Sequence, residues 1–137
     1  MQEAAFSIAN YQFDKVNIDL SNRESKNLSL SFDVKGLYNN EVSTYELTFV
    51  VYVFNQEESK ENSFVTVRCK GTFKFENVTT IEEIPNFFYQ NSIAILFPYV
   101  RAYVSLITTQ ANVPGIILPT LNLSDLVGEL RGNTTQK

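Results

Sequence analysis

Asn27-Leu28-Ser29-Leu30-Ser31-Phe32-Asp33-Val34-Lys35 alternates polar and apolar residues without a break. A period of two sets Leu28, Leu30, Phe32 and Val34 on one face of a strand and the polar residues on the other, the pattern of a sheet with one face on a core and one in water. Downstream, Val42 to Phe54 continues the alternation through Tyr45, Leu47, Phe49, Val51 and Val53, and adds Val50, Tyr52 and Phe54 on the opposite face. The second half of that strand is therefore expected to be covered on both sides. A polar loop, Asn55 to Asn62, leads to Val65, Val67, Cys69, Phe73 and Phe75, which share one parity around Gly71, a residue expected to mark a bulge or a bend.

Upstream, the apolar residues change parity twice: Phe6 and Ile8, then Tyr11 and Phe13, then Val16, Ile18 and Leu20. One long strand interrupted by bulges explains such slips. Four antiparallel strands in sequence order, the simplest meander, follow from these patterns.

After Glu76 the texture changes. β-Branched alternation gives way to a long aromatic and aliphatic segment reaching Ala111, in which Val100, Tyr103, Val104 and Ile107 recur at helical spacing. Pro98 is expected to start this helix or to kink it. Two prolines and a Pro-Gly turn in Asn112 to Pro119 prevent a continuous helix, although Val113, Ile116, Ile117 and Leu118 make the stretch apolar. Asn122 or Ser124 is placed to cap a short last helix running through Leu130. The fold class is α+β: a four-stranded antiparallel meander, a long helix and a short final helix, in a single domain over 1–130. The polar residues 131–137 are expected to form a disordered tail.

Composition removes whole classes of chemistry. With 137 residues, no histidine and one cysteine, the chain cannot build Ser-His-Asp triads, Cys-His dyads or zinc sites of His and Cys by itself. A net charge of -4 disfavours binding to nucleic-acid phosphates. The start of the sequence lacks a signal-like apolar region, no apolar run approaches the ~18 residues of a membrane span, and the single cysteine suits a reducing compartment. A cytoplasmic protein without stable membrane insertion is expected. Glu57-Glu58 and Glu82-Glu83 are expected to be solvated turn residues rather than an acid-base pair, so no enzyme and no cofactor is predicted. Arg101, set in an apolar helix, is expected to pair with a carboxylate, within the chain or across an interface.

The segment Ile95-Leu96-Phe97-Pro98-Tyr99-Val100-Arg101, followed by Pro114, Leu121, Asn122, Leu123 and Asp125-Leu126, resembles the SecB family of bacterial export chaperones, in which a Leu-Phe-Pro-Tyr-Ala-Arg helix precedes a Pro-x-Leu-x-Leu loop. Lys70-Gly71-Thr72-Phe73 is similar to that family's Gly-Gly-x-Phe strand end. The resemblance implies an ATP-independent chaperone that holds unfolded polypeptides, either preproteins on their way to export or an antitoxin. It implies an apolar groove between the crossover region 77–88 and the loop 112–121, with Phe87, Phe88, Ile116, Ile117 and Leu118 as client-binding residues. It also implies a homotetramer, a dimer of dimers joined through strands and long helices, with Tyr99, Tyr103 and Ile107 at the interface. Docking on the SecA motor through acidic residues of the sheet would involve Asp19. Lys15 and Thr66 stand where other acidic residues would fall, and the ending Arg131 to Lys137 lacks the family's zinc-contacting tail, which argues against SecA as a partner. The alternative is a non-catalytic assembly module whose apolar loops serve only oligomer contacts.

Overall fold

The computed structural model describes residues 5–22, 27–113, 116, 118 and 124–137. In chain order it contains β1 (Ala5–Ile18), β2 (Leu28–Asn39), β3 (Thr44–Asn55), β4 (Val65–Glu76), α1 (Asn86–Gln110), α2 (Ser124–Gly132) and β5 (Thr134–Gln136), with short 3₁₀ turns between them.

The alternating stretch at the centre of the sequence is β2, paired antiparallel with β3 in an unbroken register from Leu28↔Asn55 to Asn39↔Thr44. β3 pairs antiparallel with β4 from Thr44↔Lys74 to Val53↔Val65. Tyr45, Leu47, Phe49, Val51 and Val53 from β3, with Val65, Val67, Cys69 and Phe73 from β4, are all fully buried on one face of the sheet.

The strand order is β1-β4-β3-β2-β5, so β1 is not the neighbour of β2 that a sequential meander requires. It pairs with β4 at the far edge, three strand spacings or about 14 Å from β2. Asp19 N–H donates to Phe64 O at 2.8 Å and holds the chain just after Ile18 beside β4. The expected bulges do occur: register shifts fall between Ile8 and Asn10 and between Phe13 and Lys15, at Ala9 and Asp14, where the apolar parity slips. Gly71 is neither bulge nor bend. It lies in regular ladder opposite Tyr11 and Leu47, and an added Cβ would sit 3.0 Å from Leu96 Cδ1, so its bareness lets α1 approach the sheet.

α1 starts well before Pro98, which lies inside it. Thr80 and Glu83 form a capping box just upstream: Glu83 accepts N–H bonds from Thr79 and Thr80, both at 3.1 Å, and fixes the crossover that delivers the chain to the helix. Tyr89, Ile93, Leu96, Phe97, Val100 and Val104 form a buried stripe along α1, each contributing roughly 1.5–3 kcal/mol when fully removed from water. By length and hydropathy α1 would also suffice to cross a membrane; its apolar stripe is spent on the sheet.

The segment 131–137 departs from the disordered tail expected of it. Residues Thr134–Gln136 form β5, parallel to β2 with Gly36↔Thr134, Leu37↔Thr135 and Tyr38↔Gln136 in register. The polar side chains suited a frayed end, but a main-chain edge takes hydrogen bonds regardless of side-chain polarity.

Candidate functional site

The crossover from sheet to helix delivers two consecutive phenylalanines into opposite environments. Phe88 is fully buried, its ring 4.8 Å from Phe6, 4.7 Å from Phe75, 5.5 Å from Phe73 and 4.8 Å from Tyr45. Phe87, about 100° away around the helix, is 51% exposed, and its ring pairs with that of Phe6 at a centroid distance of 6.2 Å. Phe88 is thus corrected from groove lining to core: its phase matches Ser92 and Leu96, both buried.

Leu118 is likewise fully buried and joins the core, whereas Ile116 is half-buried against it. Ile117 lies outside the described residues. Ile116 N–H donates to Thr108 Oγ1 at 3.0 Å, and Thr108 Oγ1 donates to Val104 O at 2.8 Å. This buried hydroxyl ties the loop after α1 back onto the helix.

A second set of aromatic residues lines the junction of α1 with the edge strand. Tyr99 stacks on Tyr11 at 4.3 Å and Tyr103 on Phe13 at 4.0 Å. Tyr11 and Tyr99 remain 41% exposed each, and Val16, Leu20 and Leu106 are exposed as well. Tyr103 and Ile107 are half-buried beside them. Together with Phe87 these residues leave apolar surface open along β1 and α1, the kind of surface that marks an interaction site. The aromatics of β1 carried no expected site role; the parity slips around them were the available signal. Arg101 is half-buried on α1, and among the described residues no carboxylate pairs with it.

The opposite face of the sheet carries charges of both signs, with Val50, Tyr52 and Phe54 of β3 half-buried among them rather than fully covered as expected. Arg68 grips Asp14 with two hydrogen bonds, at 2.9 and 2.8 Å, and this contact holds the Asp14 carboxyl below its usual range. Lys70 lies 3.7 Å from Asp14 and 3.8 Å from Glu46. Asp19 is exposed, but its carboxylate accepts the Ser21 N–H at 3.1 Å and the Ser21 hydroxyl, a local turn. Glu82 and Glu83 are exposed, and Glu83 is engaged in the helix-start turn. Burial raises the Cys69 thiol to about 11, leaving no reactive thiolate there.

A sheet with a long crossover helix on one face and a short helix near its edge defines the SecB-like α+β class. The family described as preprotein translocase subunit SecB matches residues 6–130, and the chain belongs to that family. The chain is 28% identical, over 98% of its length and 92% of the other's, to an uncharacterized protein of Methanocaldococcus jannaschii. Its fold is similar to that of a SecB-like chaperone of Mycobacterium tuberculosis solved in complex with a ChAD peptide from the HigA1 antitoxin. That likeness has a TM-score of 0.64 at 18% identity and covers 85% of this chain and 90% of the other.

Proposed function

We propose that this protein is an ATP-independent holdase that keeps unfolded or aggregation-prone polypeptides in solution by covering their apolar segments. The observation that carries the reading is the exposed apolar surface headed by Phe87 beside the crossover. Membership of the SecB family supports it, as does the shared fold of a chaperone solved with an antitoxin peptide. Apolar contact yields roughly 25 cal/mol per Å² and has no directional demand, so one surface accepts many sequences. In this reading the client groove runs between the crossover and the loop after α1, with Phe87 and Ile116 as its contacts. Tyr99, Tyr103 and Ile107, with Tyr11, form the interface of a homotetramer built as a dimer of dimers. Several grooves acting on one client then raise weak contacts to useful retention.

Of the two client classes, an antitoxin suits the chain better than a preprotein bound for SecA. Lys15, Arg68 and Lys70 stand on the sheet beside the acidic residues, the local turn occupies Asp19, and the last segment is part of the sheet.

The burial of Phe88 and Leu118 favours a second reading, an assembly module whose apolar residues are consumed by its own contacts. Aggregation of a reduced, unfolded client, followed by light scattering without ATP, separates the two. The holdase suppresses scattering at stoichiometric amounts and Phe87→Ser weakens that suppression at unchanged oligomer size. An assembly module leaves scattering untouched across several clients, and the same substitution dissociates it.

A further inference from the structure

β5 is only three residues long, yet its contacts are specific. Gly36 N–H donates to Asn133 O at 3.2 Å, Asn133 Nδ2 donates to Val34 O at 3.1 Å, and Lys137 N–H donates to Tyr38 O at 2.9 Å. Thr134 Oγ1 donates to Leu130 O at 2.7 Å and lies 2.6 Å from Tyr45 Oη. A hydroxyl carries one proton, so with that of Thr134 committed to Leu130 the Tyr45 phenol is the donor of the pair.

Tyr45 belongs to β3, and β2 stands between it and β5. Its phenol reaches Thr134 because β2 carries a glycine at the crossing point: a Cβ added to Gly36 would overlap the phenol oxygen. Tyr45 is fully buried, and Thr134 is its hydrogen-bond partner among the described residues. The β2 edge therefore presents a built arrangement, with Val34 O, Gly36 N–H and Tyr38 O along its rim and a phenol at its base. What fits it is an extended segment, parallel to β2, with an asparagine followed by a threonine.

The segment that fills it is held mainly by polar contacts. Thr135 and Gln136 are exposed, and α2 buries only Leu130 completely. Segments with little apolar burial open at low free energy, whereas the acceptor edge belongs to β2, which is paired with β3 along its whole length.

We propose that the β2 edge from Val34 to Tyr38 is a strand-acceptor site, filled in cis by residues 133–137 and open to the same segment of a second copy once they leave. A backbone edge supplies the affinity and the Gly36–Tyr45 opening supplies the selectivity, as in other cases of strand addition.

The test uses the chain truncated after Gly132 and a synthetic peptide of residues 132–137, Gly-Asn-Thr-Thr-Gln-Lys, followed by amide chemical shifts. Saturable shifts at Gly36 and Tyr38 are expected in the truncated chain and none in the full chain, and a Thr134→Val peptide should bind about thirtyfold more weakly, the worth of the two hydrogen bonds its hydroxyl makes. In the full chain, Thr134→Val should speed hydrogen exchange at the Gly36 amide by a similar factor. A folded truncated chain that shows no shifts with millimolar peptide overturns the proposal. So does unchanged Gly36 exchange in Thr134→Val, which decides the matter alone if truncation prevents folding.

Discussion

Phe87 and Phe88 differ by one helical step and by their entire surroundings, and substitution should separate them cleanly. Phe88→Ala empties the centre of an aromatic cluster and should cost about 3–5 kcal/mol in urea unfolding. Phe87→Ser should leave stability within about 1 kcal/mol, as is usual for exposed positions, while weakening client retention. Cys69 supplies a pH-dependent test. Its folded thiol titrates at about 11, so about 0.1% is thiolate at pH 8, and a disulfide reagent should react only as the chain unfolds. The sign of its linkage follows: between the unfolded value of about 8.5 and the folded one, the unfolded state holds fewer protons, and stability falls as pH rises. Cys69→Ala should flatten that part of the pH–stability curve. That these two phenylalanines were grouped together in the sequence reading has a simple cause. The helix was phased from Pro98 onward, and the turns before it, which fix the orientation of residues 87 and 88, had no assigned face.

At the scale of elements, the strands were legible wherever alternation was strict. β2 is the plainest case, and the bulges at Ala9 and Asp14 were written in the apolar parity of β1. Pairing was less legible, because which edge a strand joins depends on contacts remote in sequence, here the stacking of Tyr11 and Phe13 on α1. β5 was invisible for a related reason: its hold on the molecule is main-chain bonding, the Asn133 amide and the Thr134 hydroxyl, and none of these leaves an apolar pattern. Gly71 was noticed for the wrong reason, since its use is to admit Leu96. Gly71→Val should therefore destabilise by about 1–3 kcal/mol through overpacking, measured by thermal or urea unfolding. Thr108→Val should cost about 1 kcal/mol, and its local signature should be faster hydrogen exchange at the Ile116 amide, which loses its acceptor.

For the whole molecule, we propose that the open apolar surface has two uses, self-assembly along β1 and α1 and client capture beside the crossover. The family was legible in a few residues around Pro98. The division of labour was not, because exposure depends on the folded surface and on every copy that covers it. Tyr99→Asp, which sets a charge into the stacked pair with Tyr11, should shift the assembly toward smaller species in sedimentation velocity. The most direct measurement places a photo-crosslinking amino acid at position 87, and a control at Val42, which is 62% exposed in the β2–β3 turn, then irradiates the native assembly with an unfolded, reduced client. Covalent client adducts at position 87 and none at position 42 are the predicted result. Adducts at position 87 solely to a second copy of the chain, with the client left untouched, would contradict it.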